Sequence, residues 1–289
     1  MPKPEWLSIP LVLNQQFQQT KETVKELGMV TVCEEAHCPN LNECWSGGTA
    51  TFMVMGDTCT RGCRFCHVKT AFKPAPLDTT EPQRLAEAVK RMNLDYVVVT
   101  SVDRDELPDQ GAAHFAECIS EIRKQNPKTL IEVLTPDFRG NEKCIQTVLE
   151  AKPTVFAHNL ETVKRLQSSV RDFRAGYEQS LGVLKFAKQA GARFTKSSLM
   201  LGLGEEREEV LQAMEDLRNA GVDILTLGQY LRPSQNHLLV ARYVTPAEFK
   251  DYEKEGLKRG FAFVAAGPFV RSSYRAGELF VKNIEFKRS

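Results

Sequence analysis

The chain has 289 residues, with 38 Lys+Arg against 37 Asp+Glu for a net charge of +1. With 42% hydrophobic and 26% charged residues it has a globular composition, which excludes a disordered chain, and eight cysteines are too few for a disulfide scaffold. The balanced charge gives no reason to expect nucleic acid or an anionic membrane as a bulk partner.

No basic segment leading into an apolar run opens the sequence. The longest mostly apolar stretch, Phe261–Val270, falls well short of the ~20 residues of a spanning helix and contains Gly267 and Pro268. The expectation is a soluble cytoplasmic protein with reduced thiols. In chain order, Gln15–Leu27 has helical apolar spacing and ends at Gly28, a residue suited to the C′ position. Val32–Gly48 is rich in Cys, Pro, Asn and Gly and reads as a loop.

An alternation then begins. Strand-like runs fall at Thr51–Met55, Tyr96–Thr100, Leu130–Leu134, Thr154–Ala157, Phe194–Leu201 and Asp223–Leu227. They are mostly apolar on both faces, as buried parallel strands are. Between them lie amphipathic helical stretches at Pro82–Met92, Ala112–Lys124, Glu142–Glu150, Glu178–Ala190 and Arg207–Asn219. Thr245–Lys258 reads as a further helix, Phe261–Ala265 as a late strand, and the residues after Ser273 as a polar tail. The pattern predicts parallel βαβ units. Six are too few for a closed eightfold barrel, which leaves a partial barrel or a doubly wound sheet. No linker divides the chain.

Six of the eight cysteines lie within 34 residues. Cys59-Thr-Arg-Gly-Cys63-Arg-Phe-Cys66 has the spacing C-x3-C-x2-C just after the first strand, with Gly62 permitting a tight turn. Soft thiolates select zinc, copper(I) or iron–sulfur clusters. Structural zinc takes four ligands, whereas three thiolates on a 4Fe–4S cluster leave one iron open to an external ligand. Upstream, Cys33, Cys38 and Cys44 give C-x4-C-x5-C, again one ligand short of a full cluster. His37 and Glu43 each adjoin a cysteine of that triplet, which places them poorly for the vacancy, and the fourth ligand stays open.

The first triplet resembles the radical S-adenosylmethionine superfamily, in which the open iron chelates the cofactor's methionine amino and carboxylate groups. The pair of triplets resembles the lipoyl synthase family. So do Thr100-Ser-Val-Asp-Arg-Asp-Glu-Leu107, His158-Asn-Leu-Glu-Thr162, Thr195-Lys-Ser197, Leu201-Gly-Leu-Gly-Glu205, Gln229-Tyr-Leu-Arg-Pro-Ser234 and Gly267-Pro-Phe-Val-Arg-Ser-Ser-Tyr274. Members often carry glycine where this chain has Ser198. The resemblance implies an α/β fold, a partial (β/α)6 TIM-like barrel whose N- and C-terminal extensions carry an auxiliary cluster. Residues 1–48 would be the N-terminal extension, 49–235 the core and 236–289 the C-terminal extension, in one compact domain.

The resemblance further implies two 4Fe–4S clusters and S-adenosylmethionine. One cluster would be held by Cys59, Cys63 and Cys66. The auxiliary one, the sulfur donor, would be held by Cys33, Cys38, Cys44 and Ser272. Asn159 and Glu161 would contact the cofactor, with Arg171 and Arg174 lining the same pocket. The implied reaction places sulfur at C6 and C8 of a protein-bound octanoyl-lysine. The implied partners are the lipoyl carrier domains of 2-oxo acid dehydrogenase acyltransferase subunits and the glycine-cleavage H protein, with a donor such as ferredoxin or flavodoxin. Another radical sulfur-inserting enzyme, or a non-catalytic zinc or iron–sulfur module, are the rival readings. Cys118 and Cys144 sit on helical patterns as small hydrophobes, and none of the histidines is at metal spacing.

Overall fold

Strand and helix alternate as the hydrophobic periodicity predicts. The computed structural model describes residues 3–8 and 14–273, so Tyr274 and the polar tail lie outside the described residues. Two compact units are present: residues 14–62 with 66–154, and residues 3–8 with 63–65 and 155–273.

The first unit opens with α1 (Gln15–Glu26), whose first turn is capped by the Asn14 side chain accepting from the Phe17 N–H. Its buried face, Phe17, Thr20 and Val24, sets Phe17 5.6 Å from the Trp45 ring. A two-residue strand, β1 (Val30–Thr31), leads into α2 (Val32–Glu35) and, after a turn, α3 (Leu41–Ser46). The segment read as a loop therefore contains two short helices, the first capped by the Thr31 hydroxyl accepting from Glu34 N–H.

Next come β2 (Thr51–Val54) and a small parallel ribbon, β3 (Thr58–Cys59) with β4 (Lys69–Thr70). They are followed by α4 (Glu81–Arg91), β5 (Tyr96–Ser101), α5 (Ala112–Gln125), β6 (Leu130–Leu134) and α6 (Glu142–Glu150). The strand order is β1-β2-β5-β6, with β1 antiparallel and the others parallel. Leu85, Ala86, Ala88 and Val89 of α4 pack with α5, whose Phe115, Cys118, Ile119 and Ile122 are equally buried. Each large apolar side chain so buried contributes about 1.5–3 kcal/mol.

The second unit runs β7 (Val155–Ala157), α7 (Gln167–Val170), α8 (Tyr177–Gln189), β8 (Phe194–Leu201), α9 (Arg207–Asn219), β9 (Ile224–Gln229), α10 (Pro246–Lys258) and β10 (Phe263–Gly267). Its strands are parallel in the order β7-β8-β9-β10. Leu199, Leu201, Leu225 and Leu227 from the strands join Leu184, Met214, Leu217 and Phe249 from the helices in one core. A capping box starts α10: Thr245 accepts from Glu248 N–H, Glu248 accepts from Thr245 N–H, and Pro246 supplies a ready φ.

Candidate active site

The end of β3 presents Cys59, and its ribbon partner is extended by the Ala71 N–H donating to the Cys59 carbonyl at 3.0 Å. The Cys59 sulfur accepts backbone N–H groups from Asp103 at 3.3 Å and Arg61 at 3.4 Å, and lies 3.7 Å from Asp103 Oδ2. Burial, together with the Asp103 carboxylate and Cys66, pushes this thiol up to about 12. Main-chain donors aimed at this half-buried sulfur fit a metal-bound thiolate, whose charge they stabilise.

Around it the 59–61 and 103–105 segments are stitched together. Thr60 donates its N–H and its hydroxyl to the Asp103 carbonyl, both at 3.0 Å, and its hydroxyl accepts from Asp105 N–H. The Arg61 guanidinium, buried with a side chain 3% exposed, forks onto Asp105 through Nε and Nη2, both at 2.8 Å. Its Nη1 reaches Asp137 at 2.8 Å and its Nε lies 3.2 Å from Asp103. Burial carries the Asp103 carboxyl up to about 6 against the pull of Arg61. Asp105 is held low: Arg61 outweighs the cost of its burial. The motif alone signalled no role for Arg61, because its partners lie 44 and 76 residues away.

The upstream triplet belongs to the same unit. Cys33 sits in α2, the Cys38 N–H donates to the Cys33 carbonyl at 3.0 Å, and Cys44 lies on α3. Burial pushes the Cys33 thiol up to about 11, while the Thr51 backbone N–H and the Trp45 indole N–H face its sulfur. The two cysteine-bearing segments meet. The ring of His37, preceding Cys38, stacks on that of His67, following Cys66, with centroids 4.0 Å apart. His67 Nδ1 is 3.0 Å from the Glu35 carbonyl, which fixes that nitrogen as the protonated one.

In the second unit the Cys63 sulfur accepts the Asp172 N–H at 3.3 Å. Asn159 Nδ2 donates to Glu161 Oε1 at 3.0 Å. Glu161 takes a left-handed φ of +69° and bridges to β8, donating to the Ser198 carbonyl and accepting from Met200 N–H. Burial raises the Glu161 carboxyl, with Arg171 opposing. Arg171 is itself buried; its Nη1 donates to Ser180 Oγ at 2.8 Å and Gln167 Oε1 at 3.2 Å, while its Nε has no partner. An orphaned guanidinium N–H beside a buried carboxylate fits a polar, charged ligand such as S-adenosylmethionine. Arg174 is turned to Asp172 in a two-point pair at 2.8 and 3.0 Å.

Ser272 lies in a turn after β10, partly buried. The turn is bound by Val270 N–H to the Gly267 carbonyl at 3.1 Å and by Arg271 Nη1 to the Val270 carbonyl at 2.8 Å. It rests on Gly228 of β9, where a Cβ would fall 2.0 Å from the Val270 carbonyl oxygen. Away from these groups, Cys118 and Cys144 are buried on helices. Cys118 shares its surroundings with Glu81 and His114. The Glu81 carboxylate accepts from Met55 N–H at 2.8 Å and lies 2.7 Å from His114 Nε2, so it is satisfied as a structural pair. Lys196 is fully buried on β8.

A three-thiol loop after the first parallel strand of a βα array defines a class of radical enzymes. Residues 53–228 match the Radical SAM superfamily, to which the chain belongs; enzymes of this superfamily use a 4Fe–4S cluster and S-adenosylmethionine. Among relatives, it is 59% identical over 281 residues to the lipoyl synthase of Anaeromyxobacter sp. (strain Fw109-5), covering 97% of this chain and 95% of that one. It is 56% identical over 291 residues to the mitochondrial lipoyl synthase of Branchiostoma floridae, covering 99% and 77%. The chain belongs to the lipoyl synthase family.

Solved structures agree on the fold. HydG, a maturase of the [FeFe]-hydrogenase, superposes with a TM-score of 0.59 at 15% identity, covering 86% of this chain and 62% of that one. Methylornithine synthase (PylB) gives 0.54 at 12%, covering 96% and 89%. The fold is the expected α/β type, a partial βα barrel with a mostly parallel sheet. Among the described residues no helix is long and apolar enough to cross a membrane.

Proposed function

We propose that the chain replaces one hydrogen at C6 and one at C8 of a protein-bound octanoyl-lysine with sulfur. Cys59, Cys63 and Cys66 hold the cluster that binds S-adenosylmethionine; Cys33, Cys38, Cys44 and Ser272 hold the auxiliary sulfur-donor cluster. When bound, these groups supply a 5′-deoxyadenosyl radical able to take hydrogen from an unactivated carbon, and the sulfur that replaces it. Asn159, Glu161, Arg171 and Arg174 orient the cofactor, the first three through the buried polar group around Glu161. Arg174 acts while paired with Asp172, whose N–H meets the Cys63 sulfur.

The observation that carries the reading is the meeting of the two triplets' segments at the His37–His67 stack. Chemistry at two carbons of one chain requires radical source and sulfur donor to be neighbours. A hard serine oxygen on a soft-ligand cluster makes a bond suited to release when the cluster gives up sulfur. The substrates are the octanoylated lipoyl domains of 2-oxo acid dehydrogenase acyltransferase subunits and the glycine-cleavage H protein, with ferredoxin or flavodoxin as reductant and no role for nucleic acid or membrane. A reducing compartment such as the cytoplasm suits the six ligating cysteines. Residues 1–48 and 236–289 act as extensions bringing auxiliary ligands to a core of 49–235.

Anaerobic reconstitution tests this. Two clusters correspond to about eight iron and eight sulfide per chain; one or two zinc ions would instead mark a non-catalytic metal module. Cys33→Ala, Cys38→Ala, Cys44→Ala or Ser272→Ala is expected to leave deoxyadenosine formation while abolishing lipoyl product. Cys59→Ala, Cys63→Ala or Cys66→Ala is expected to abolish both. A Cys33→Ala chain that still makes lipoyl product would refute the sulfur-donor assignment.

A further inference from the structure

Near the first triplet the Arg61 side chain is buried among three carboxylates. Its guanidinium engages Asp105 at two points, Asp137 at one, and lies 3.2 Å from Asp103, all while 3% exposed. Burying one cation among these carboxylates is costly unless their geometry is fixed. What the geometry fixes is Cys59. One N–H donor to its sulfur is the backbone of Arg61 itself; the other is the backbone of Asp103, whose carbonyl is held by Thr60. Both donors thus belong to segments that the guanidinium and the Thr60 hydroxyl lock together.

We propose that Arg61 is a positioning residue that sets the reduction potential of the cluster bound through Cys59, by keeping these two N–H groups on the sulfur. The inference rests on Cys59 being a cluster ligand, as in the proposed function. Hydrogen bonds to ligand sulfur favour the reduced cluster, which carries more negative charge. In this role Arg61 acts through the backbone. Lysine keeps its charge but not the planar fork that reaches Asp105 and Asp137 together. Arg61→Lys therefore isolates geometry from charge.

The test is an EPR-monitored redox titration of the reconstituted full chain, following the cluster whose signal changes when S-adenosylmethionine is added. Arg61→Lys is expected to bind wild-type iron and sulfide yet have a midpoint more negative by about 59 mV, a tenfold change in the one-electron equilibrium. Thr60→Val, which removes the hydroxyl from the same stitch, is expected to shift it in the same direction. Leu217→Ala, a core truncation in the second unit, is expected to lower the Tm without moving the midpoint. If Arg61→Lys loses iron at an unchanged Tm, the clamp is supported and Thr60→Val carries the potential measurement. An unchanged or raised midpoint in loaded Arg61→Lys or Thr60→Val overturns the inference, as does an equal shift in Leu217→Ala. A wild-type chain that binds no 4Fe–4S cluster instead overturns the ligand assignment beneath it.

Discussion

Gly228→Ala is the smallest change that probes the serine motif from a distance. The added Cβ would lie 2.0 Å from the Val270 carbonyl oxygen and 3.0 Å from its carbon, whereas ordinary contact begins near 3.4 Å. Strand β9 cannot retreat, because Gly228 is paired with Met200 of β8 on one side and Gly267 of β10 on the other. The turn at residues 268–273 must therefore move by about 1.4 Å, carrying Ser272 with it. Overpacking of this kind costs about 1–3 kcal/mol, and each kcal/mol lowers Tm by roughly 2–4 °C in a chain approaching this size. A displacement near 1 Å at a reacting centre can slow it about 100-fold. Lipoyl product and deoxyadenosine are measured together by mass spectrometry on an octanoyl-lysine peptide, beside a thermal melt. Product is expected to fall by one to two orders of magnitude (~10–100-fold) while deoxyadenosine persists. Wild-type product with an unchanged Tm would refute both the close approach and the dependence of sulfur insertion on this turn.

His114→Ala deprives the buried Glu81 carboxylate of its side-chain partner. Leaving a buried acceptor short of a partner costs about 1–3 kcal/mol, so Tm is expected to fall by roughly 2–12 °C, read by calorimetry on the apo chain. At the end of α10, hydrogen bonds from Lys258 and then Arg259 hold the Glu255 carboxyl down to about 2. A depressed carboxylate stabilises the fold above its ordinary range, and that contribution disappears as pH falls through about 2. Glu255→Gln is expected to melt slightly below wild type near neutral pH, with the gap closing in acid; a gap independent of pH would refute the ion-pair account.

The barrel-forming elements were legible because they are long and periodic: α9 reads as thirteen residues with a buried Val210, Ala213, Met214 and Leu217 face. Gly28, expected as a helix stop, takes the left-handed φ of +57° that the position demands. The 32–48 segment has the composition of a loop, with its cysteines and Pro39, and its helices of four and six residues are too short to show a period. The six clustered cysteines are candidate metal ligands on spacing alone. Their surroundings were hidden for a different reason. The Arg61 fork, the imidazole stack and the Gly228 approach join residues distant in sequence, and no local pattern encodes such meetings. Glu161 enters through the family resemblance, but its left-handed backbone is not foreseeable from a residue type that rarely adopts it.

The sulfur hydrogen bonds come largely from main-chain amides: Thr51 to Cys33, Arg61 and Asp103 to Cys59, Asp172 to Cys63. A side-chain scan is nearly blind to such donors. Thr51→Ala or Asp172→Ala leaves the amide in place, and whatever it costs will be charged to some other role of the side chain. A point change therefore reaches such a donor only by moving the backbone that carries it, as substitutions at Arg61 and Thr60 would. Proline, which deletes the N–H, or an ester in place of the peptide bond would remove the donor outright and show what the backbone alone does to each sulfur.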